Sequence, residues 1–446
     1  MINCLKINKK ISSYNQKIII DGDKSLSIRW ALLASQAKGK SRAFELLKSE
    51  DVLSALNCLK KLGVKIIFKK DYCEITGKGL NSYNYKKKLT LDAGNSGTLG
   101  RLILGLLVHS KKEVKIIGDK SLSKRDFSRV SIPLSKFGAK FYSKKKNGLP
   151  LSIIGSKLAK PISYFESRGS AQCKSSIMLA ALNTKGETFI KAKKSRDHTE
   201  LLFKYLKIPI KIKKTKQFDY IGIKGKKEIQ SFNYRIPADI SSSAFFLVLT
   251  ALSNNSKLLI KNVNINPSRI GVIKILKKMG IKILITNKKN YNGELVADLF
   301  VKSTKKLKSI NCPSELNSSA IDEFLIIFLV AAKAKGISYF KNLSELNQKE
   351  SPRLEWGSRI LNMMGVKTKL TNHSIKIYGN PKLEITKTIK IKNYLKDHRI
   401  FMMSTVAALT CGGRWEINDP DSIQTSFPSF LKIIKKLKTN YENKKK

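Results

Sequence analysis

Apolar residues recur along this chain of 446 residues in six long runs, and each run follows a short polar cluster. A run that is apolar on most faces predicts a buried helix. The clusters are marked by positions 25, 96, 171, 241, 322 and 398, so the successive intervals are 71, 75, 70, 81 and 76 residues. This nearly constant interval predicts a sixfold repeat, in which each unit contributes one buried helix.

A second feature follows the same interval. Four amphipathic segments end at a glycine and pass into a strand-like run, at Gly63, Gly138, Gly280 and Gly365. Glycine is expected just beyond a helix C-terminus, because it adopts a left-handed backbone conformation without steric cost. Two weaker copies have lysine in this place, at Lys207 and Lys438. Each unit is therefore predicted to contain a second helix that faces solvent.

Strand-like runs lie between these helices, so the chain is predicted to be an α/β protein. Units of this size cannot bury their apolar faces alone and should pack in groups, most economically three and three. We place the two crossings between groups near residues 21–24 and 234–239. Domain one is then residues 1–23 plus 237–446, and domain two is residues 24–236.

The net charge is strongly positive, +55, which by itself favours a polyanionic partner. The lysines are spread along the chain in short runs, such as residues 86–88 and 144–146, and aromatic residues do not alternate with them in the sequence. This distribution is typical of a solvated surface. We therefore expect no nucleic-acid partner, and a basic nucleic-acid-binding protein is kept as the alternative from another functional class.

The arginines are more informative, because there are 13 of them beside 74 lysines. Where lysine is so abundant, a remaining arginine indicates a place that needs a planar, bidentate donor for carboxylate or phosphate. Six arginines lie in or beside polar clusters: Arg29, Arg101, Arg125, Arg196, Arg353 and Arg399. An ordinary structural role is the alternative for each of them.

The first polar cluster has cations where a helix begins. Lys24, Ser25 and Arg29 precede or open the apolar run that starts at Trp30. The first N–H groups of a helix have no acceptor within the helix and form the positive end of its dipole. The cluster is therefore a candidate site for a phosphate or carboxylate. A plain helix cap at Ser25 is the competing interpretation.

Metal, disulfide and membrane roles are not indicated. The six cysteines form no C-x-x-C pair, and only four histidines are present. The longest apolar run, residues 324–332, is too short to span a bilayer, and no signal-like segment opens the chain. We expect a soluble cytoplasmic protein without metal, organic cofactor or membrane contact.

Eleven short motifs carry a resemblance to a known family. In order along the chain they are GDKSLSIR at 22–29, DAGNSGT at 92–98, SLSKR at 121–125, SAQCKS at 170–175, SRDHTE at 195–200, PADISS at 237–242, NPSR at 266–269, IDE at 321–323, KESPR at 349–353, DHR at 397–399 and TSFP at 425–428. Over essentially its whole length the chain resembles the 5-enolpyruvylshikimate-3-phosphate synthase family.

The resemblance implies two domains of three βαβαββ units each, the inside-out α/β barrel of the enolpyruvyltransferases, with an active site in the interdomain cleft. It implies transfer of the enolpyruvyl group of phosphoenolpyruvate to the 5-hydroxyl of 3-phosphoshikimate, with release of phosphate, by addition and elimination. This reaction belongs to the shikimate pathway, which leads to chorismate and the aromatic amino acids. The implied partners are the two substrates alone, and we expect a monomer.

The resemblance also implies residue roles. The residues expected to bind 3-phosphoshikimate are Lys24, Ser25, Arg29, Ser170, Ala171, Gln172, Arg196, Asp322 and Lys349. The residues expected to bind phosphoenolpyruvate are Lys24, Gly97, Arg125, Gln172, Arg353 and Arg399. The expected catalytic residues are Asp322 as proton acceptor, Glu350 as its partner at the enol carbon, and Lys24. The cations suit an intermediate that carries both carboxylate and phosphate. For Asp322 the competing interpretation is a helix cap.

Three positions depart from the family's pattern, namely Asp126, Pro352 and Thr425. Proline fixes φ and removes an N–H, so Pro352 is expected to alter how Arg353 is aimed and to affect phosphoenolpyruvate affinity. The nearest alternative enzyme is the UDP-N-acetylglucosamine enolpyruvyltransferase. Its pattern has Lys-Asn where this chain has Lys24 and Ser25, and a loop cysteine that the second repeat of this chain lacks.

Overall fold

The computed structural model describes residues 3–86, 88–143, 147–437 and 442–445. The lysine run 144–146, Lys87 of the run 86–88, and Lys438 of the last predicted helix end lie outside the described residues.

The chain divides into two compact units, which we call the terminal unit and the central unit. The terminal unit comprises Met1–Asp21, Ala238–Lys289 and Leu295–Lys446. The central unit comprises Gly22–Pro237 and Asn290–Glu294. The sequence prediction placed residues 22–23, 237 and 290–294 in domain one, whereas in the structure they group with the central unit.

The strands are β1 (Asn3–Ile7), β2 (Asn15–Ile19), β3 (Ala37–Phe44), β4 (Lys65–Phe68), β5 (Tyr72–Lys78), β6 (Leu89–Asp92), β7 (Val114–Ile117), β8 (Lys140–Ser143), β9 (Leu151–Ile154), β10 (Ser163–Glu166), β11 (Glu187–Lys193), β12 (Ile210–Lys214), β13 (Phe218–Lys224), β14 (Ile229–Gln230), β15 (Asn233–Arg235), β16 (Lys257–Asn264), β17 (Ile283–Tyr291), β18 (Glu294–Lys302), β19 (Gly336–Phe340), β20 (Thr368–Thr371), β21 (Ser374–Gly379), β22 (Ile385–Ile391), β23 (Gly412–Asn418) and β24 (Glu442–Lys445).

The α-helices are α1 (Lys24–Ala34), α2 (Glu50–Lys61), α3 (Gly97–Leu106), α4 (Ser128–Ser135), α5 (Ala171–Leu182), α6 (His198–Tyr205), α7 (Ile240–Leu252), α8 (Gly271–Lys278), α9 (Asn317–Ala320), α10 (Phe324–Ala332), α11 (Arg353–Met363), α12 (His398–Cys411) and α13 (Phe430–Lys436). Short 3₁₀ helices connect several of these elements.

The sheets repeat one topology. In the second repeat the strand order is β6-β7-β9-β8, and in the third it is β10-β11-β13-β12. The first two strands of each sheet are parallel and the remaining pairs are antiparallel. Along the chain this is a strand-helix-strand-helix-strand-strand unit. The terminal unit contains the same order in β2-β16-β18-β17 and in β22-β23-β1-β24. In the second of these sheets, β1 and β24 come from the two ends of the chain.

The remaining two sheets are variants of this pattern. In the sheet of β3, β4 and β5, the place of the first strand is taken by β14 and β15 from the end of the central unit. In the sheet of β19, β20 and β21, two isolated parallel bridges take that place. The mixed α/β architecture is thus confirmed, and among the described residues the sheets are separate and do not close into a barrel.

The six apolar helices form the interior of the two units. Every residue of α7, α10 and α12 is buried, and these three helices contact one another in the terminal unit. In the central unit α3 contacts both α1 and α5. The amphipathic helices α2, α4, α6, α8, α11 and α13 each keep exposed positions. The predicted division into buried and solvent-facing helices is confirmed, and it follows from apolar periodicity alone.

The predicted helix ends have the expected backbone. Gly63, Gly280 and Gly365 have positive φ angles of 85, 94 and 83°. In each case the following N–H donates to the carbonyl five residues earlier, which is a Schellman ending. Lys207 ends α6 in the same way, with φ 54°, and the N–H of Ile208 donates to the carbonyl of Phe203. Lys207 therefore has a left-handed backbone conformation, which favours glycine.

No helix in the described parts of the chain is both long enough and apolar enough to cross a membrane.

We predict that Lys207→Gly stabilises the protein by about 0.5–1 kcal/mol. A non-glycine residue in the left-handed region costs roughly 1–2 kcal/mol, and the greater freedom of glycine in the unfolded chain removes part of the gain. Urea denaturation followed by circular dichroism measures the change.

Lys204→Gly is the matched control, because Lys204 is an exposed lysine inside α6. It should destabilise the protein by about 1 kcal/mol. Equal effects of the two substitutions would contradict the assignment of strain to Lys207.

Candidate functional site

The central unit places Lys24 beside a carboxylate. Lys24 is the first residue of α1, and Asp23 caps this helix by accepting the N–H of Leu26 at 2.9 Å. The Nζ of Lys24 lies 2.8 Å from Oδ2 of Asp51, a buried residue in the first turn of α2. This ion pair fixes the direction of the ammonium group at the N-terminus of α1, where the helix dipole favours anions.

Arg29 lies one turn into α1 and is nearly buried. Its Nε donates to Oγ1 of Thr199 at 2.9 Å, and its Nη2 donates to Oγ of Ser175 at 3.2 Å. Its Nη1 donates to the backbone carbonyl of Ser25 at 3.1 Å. The three bonds hold the guanidinium group against neutral oxygens, and they bring the first predicted motif next to the motifs at 170–175 and 195–200.

Gly97 and Arg125 are in direct contact. Gly97 is the first residue of α3, whose cap Ser96 accepts the N–H of Leu99. A Cβ added at Gly97 would lie 2.4 Å from Nη1 of Arg125. Glycine is therefore required at this helix N-terminus for the guanidinium group to take its observed place. The structure joins two of the residues predicted to bind phosphoenolpyruvate.

Gln172 is oriented by two neighbours. The Nη1 of Arg101 donates to its Oε1 at 2.5 Å, and its own Nε2 donates to Oγ1 of Thr98 at 3.1 Å. Arg101 also donates through Nη2 to the backbone carbonyl of Asp126 at 3.1 Å. Because both ends of the amide are bonded, the N-termini of α3 and α5 are held together.

A buried carboxylate organises the loop before α5. Glu166 accepts the N–H of Arg168 at 3.2 Å and that of Ser170 at 2.9 Å. Burial raises the pKa of Glu166 above its ordinary value, although the backbone donors act in the opposite direction. Ser170 in turn caps α5 by accepting the N–H of Cys173. Glu166 thus positions the loop that presents Ser170.

Three further positions complete this region. Ala171 is the first residue of α5 and is half-buried, and Arg196 is a half-buried residue two positions before α6. Below them, Lys174 and Glu200 form a buried ion pair of 2.5 Å. This pair links α5 to α6. Removing either partner would leave an uncompensated buried charge, which is strongly destabilising.

The first departure from the family's pattern has a local partner. The carboxylate of Asp126 accepts from Nη1 of Arg168 at 3.0 Å and from the N–H of Ser128 at 2.8 Å. Since the carbonyl of Asp126 also binds Arg101, this residue links the Glu166 loop to Gln172.

In the terminal unit, Asp322 lies among cations. Its Oδ1 is 3.2 Å from Nζ of Lys349 and 3.4 Å from Nη1 of Arg353. The N-cap residue of α10 is Glu323 rather than Asp322. The side chain of Asp322 is therefore in contact with two cations, and Asp322 is not the N-cap residue of α10.

Arg353 is buried and bound by carboxylates. Its Nε donates to Oδ2 of Asp397 at 2.8 Å and its Nη2 to Oδ1 of the same residue at 3.1 Å. Its Nη2 also contacts Oε2 of Glu350. Burial alone would lower the pKa of Arg353, but the carboxylates of Asp397 and Glu350 raise it above the ordinary value. The guanidinium group is thus held rigidly and fully charged.

Arg399 is the second residue of α12 and is also nearly buried. Its Nη1 donates to the backbone carbonyl of Asp322 at 2.8 Å and lies 3.9 Å from Oε1 of Glu323. Its N–H donates to Oδ1 of Asp397, which caps α12. Asp397 therefore fixes both Arg353 and the first turn that carries Arg399.

A second buried network lies behind this group. Ser241, in the first turn of α7, donates its hydroxyl to Oε1 of Glu323. The Nη2 of Arg269 donates to Ser241 at 2.8 Å and to Oδ1 of Asp239, the cap of α7, at 3.1 Å. Arg399 contacts both Asp322 and Glu323, so these contacts bring the N-termini of α7, α10 and α12 next to one another.

The two other departures lie beside these residues. Pro352 is the N-cap of α11 with φ −70°, and the neighbouring Arg353 keeps its bidentate bond to Asp397. Thr425 is within hydrogen-bond distance of His398, with 3.3 Å between its Oγ1 and the ring Nδ1. Whether Pro352 affects phosphoenolpyruvate affinity stays a prediction.

Each unit thus gathers buried or half-buried cations at the N-termini of apolar helices, which is the arrangement that binds anions. In the central unit the gathered residues are Lys24, Ser25, Arg29, Gly97, Arg125, Ser170, Ala171, Gln172 and Arg196. In the terminal unit they are Asp322, Lys349, Glu350, Arg353 and Arg399. That the two sets form one site in a cleft between domains stays a prediction.

Sequence reasoning missed the residues that position these groups. Asp51, Glu166 and Asp397 each bond a predicted binding residue or its backbone, and the Lys174–Glu200 pair lies beneath them. Asp397 is the first residue of the DHR motif at 397–399 and precedes an apolar run, so the sequence could have identified it as a helix cap. Asp51 carries no such signal, because its partner is 27 residues away in the chain.

Comparison with known proteins identifies the family. The family model described as EPSP synthase (3-phosphoshikimate 1-carboxyvinyltransferase) matches residues 8–434. A curated relative named 3-phosphoshikimate 1-carboxyvinyltransferase from Ruthia magnifica subsp. Calyptogena magnifica is 40% identical over 435 residues, which is 97% of this chain and 97% of the relative. One of the same name from Petrotoga mobilis is 39% identical over 430 residues, 95% of this chain and 97% of the relative.

Solved structures agree. An EPSP synthase from Acinetobacter baumannii is similar with a TM-score of 0.86 and 32% identity, and the match covers 99% of this chain and 100% of that one. The enolpyruvyl transferase NikO from Streptomyces tendae matches with a TM-score of 0.78 over 99% of both chains, but at 13% identity it supports the fold alone. With this fold, these helix-end clusters and these relatives, the chain belongs to the EPSP synthase (3-phosphoshikimate 1-carboxyvinyltransferase) family.

Proposed function

We propose that the chain transfers the enolpyruvyl group of phosphoenolpyruvate to the 5-hydroxyl of 3-phosphoshikimate and releases phosphate, in the biosynthesis of chorismate and the aromatic amino acids. The supporting observation is the carboxylate of Asp322, held by Lys349 and Arg353 in a chain that matches the family from residue 8 to residue 434. Residues of both units take part in this one reaction.

Phosphoenolpyruvate is bound by guanidinium groups that are already fixed. Arg353 and Arg399 are held by Asp397 and by the backbone of Asp322, and Arg125 lies against Gly97. Donors that do not have to reorganise stabilise a developing charge better than donors in water. Lys24, positioned by Asp51, adds a fourth cation, and Gln172 supplies an amide.

The phosphorylated ring of the second substrate is bound at the N-termini of α1 and α5. Ser25, Ser170, Ala171 and Gln172 lie in or directly before these first turns, where free N–H groups favour phosphate. The same substrate is bound by Lys24, Arg29, Arg196, Lys349 and Asp322. Arg29 supplies a planar donor for a phosphate oxygen.

The reaction requires that a proton leave the attacking hydroxyl and that another reach the enol carbon. Asp322 accepts the first proton, because a positioned carboxylate can act as a general base. Glu350, in contact with Arg353, exchanges the proton at the enol carbon, and Lys24 assists at the phosphate being released. Addition gives a tetrahedral intermediate, and elimination of phosphate restores the double bond.

The chain needs no metal or organic cofactor for this addition and elimination. It acts as a monomer in the cytoplasm on two small-molecule substrates. The family match supports the two substrates, and the assembly state and location are expectations from the sequence.

Asp322→Asn is predicted to lower the rate of phosphate release by about 10²–10⁴-fold, because the substitution keeps the shape of the side chain and removes the base. The assay measures phosphate released from phosphoenolpyruvate with and without 3-phosphoshikimate. Asp421→Asn is the matched control, since Asp421 forms an exposed ion pair with Lys396 in the same unit. It should retain wild-type activity, and a wild-type rate in Asp322→Asn would refute the assigned role.

Gly97→Ala is predicted to raise the KM for phosphoenolpyruvate about tenfold and to leave the KM for 3-phosphoshikimate nearly unchanged. The new Cβ would displace the guanidinium group of Arg125, and a hydrogen bond to a charged group is worth about 1.5–3 kcal/mol. Initial rates at saturating 3-phosphoshikimate measure the effect.

A double-mutant cycle tests whether Gly97 acts through Arg125. If it does, the combined variant Gly97→Ala with Arg125→Ala has nearly the same KM as Arg125→Ala alone. Full additivity of the two substitutions would show that Gly97 acts in another way.

A further inference from the structure

One sheet of the central unit exposes a row of aromatic side chains on its outer face. Phe165 on β10, Phe189 on β11 and Tyr220 on β13 are 47%, 51% and 40% exposed. We call this face, with its lysines, the aromatic face. Large apolar side chains that are exposed together mark binding surfaces more often than single ones do.

The strand register sets aromatic rings and lysines beside one another. Phe165 lies opposite Lys191, Lys191 opposite Tyr220, and Tyr220 opposite Lys213, so one row crosses all four strands. In the neighbouring row Phe189 lies opposite Gly222, which lies opposite Lys211. Residues opposite one another on neighbouring strands have side chains in contact range.

A depression of about 600 Å³ lies among these side chains. Gly222 lines it, and a Cβ at Gly222 would lie 2.9 Å from Oε1 of Glu187 and 3.4 Å from a ring atom of Phe189. The carboxylate of Glu187 therefore takes up part of the space that the missing side chain leaves. Phe189, which is 51% exposed, borders this depression.

Lys191 is held in the centre of the aromatic face. Its Nζ lies 4.6 Å from the ring centre of Phe218, 5.1 Å from that of Phe165 and 5.9 Å from that of Tyr220. Such cation–π contacts fix a long side chain that would otherwise be mobile. The ammonium group is thus presented to solvent at a defined distance from the rings.

The charge of the aromatic face favours an anionic partner. Lys191, Lys211 and Lys213 line the depression together with a single carboxylate, Glu187. Three lysines thus line the depression beside one carboxylate, so the net charge of its lining is positive. A second copy of the chain would bring the same lysines into the interface, and at a net charge of +55 it would be repelled.

We propose that the aromatic face binds single-stranded nucleic acid. The partner must bring both flat rings and regularly spaced negative charges, and single-stranded nucleic acid has both. Stacking on aromatic rings beside lysines is the usual mode of such binding, and a four-stranded sheet with exposed aromatics is one scaffold for it. The ring of Phe189 and that of Tyr220 each take a base, while Lys211 and Lys213 contact phosphates.

This proposal revises the expectation, drawn from the sequence, that no nucleic acid is bound. That expectation rested on the lack of alternating lysines and aromatic residues along the chain. The alternation exists across the strands instead, for example between Phe165 and Lys191, which are 26 positions apart in the chain. It is independent of the proposed enzymatic function.

The test measures binding of a fluorescently labelled single-stranded oligonucleotide of about twelve nucleotides by fluorescence anisotropy. Phe189→Ala is expected to weaken binding by about tenfold, because one base loses its stacking partner. Tyr220→Ala is expected to weaken it similarly, whereas Tyr220→Phe keeps the ring and should keep the affinity. Tyr142→Ala is the matched control, since Tyr142 is 53% exposed on β8 of the same unit.

Salt dependence separates stacking from general charge attraction. Lys213→Ala should reduce the slope of log affinity against log salt by about 1, while Phe189→Ala should leave the slope unchanged. Inorganic polyphosphate, which has charge but no bases, serves as a competitor. It should displace the oligonucleotide equally well from the wild type and from Tyr142→Ala, and its own affinity should not change in Phe189→Ala.

Unchanged oligonucleotide affinity in both Phe189→Ala and Tyr220→Ala would overturn the proposal, as would equal weakening by Tyr142→Ala. Phosphate release from phosphoenolpyruvate should remain at the wild-type level in Phe189→Ala and Tyr220→Ala. This readout also shows that the variants are folded.

Discussion

The structure depends on burying the N-termini of six apolar helices. The first N–H groups of each helix have no acceptor within it, so every buried start needs a polar partner. Five of the six starts are capped by a side chain of the preceding residue, at Asp23, Ser96, Ser170, Asp239 and Asp397. The sixth, at Glu323, uses its carboxylate for the hydroxyl of Ser241 instead. The polar clusters are thus required by the fold itself, and the binding residues are neighbours of the caps.

The buried arginines show how charged groups are kept inside the fold. Removing a guanidinium group from water is costly unless its donors are satisfied. Arg29 is satisfied by neutral oxygens of Ser175, Thr199 and Ser25, while Arg353 is satisfied by carboxylates. The carboxylates of Asp397 and Glu350 keep Arg353 charged, because they raise the pKa of its guanidinium group above the ordinary value.

Lysine has a different role from arginine in this chain. Most lysines are exposed, and a few are placed by tertiary contacts: Lys24 by Asp51, Lys174 by Glu200, and Lys191 by three aromatic rings. A strongly basic composition alone predicts only weak, unspecific attraction to anions. Specific behaviour arises where a packed neighbour fixes the ammonium group, in an ion pair or above a ring.

The sequence by itself determined the repeat, the division into buried and exposed helices, the helix ends and the family. These features depend on local rules, namely the period of apolar residues, the need for a helix cap and the preference for glycine in the left-handed conformation. Such rules can be applied to the amino-acid sequence alone, because they concern residues close together in the chain. The partners of Lys24 and Gln172, the grouping of residues 290–294 with the central unit, and the rows of the aromatic face were decided only by the tertiary structure. They depend on strand register and helix packing between distant segments, and a shift of one residue in register would turn each side chain to the opposite face.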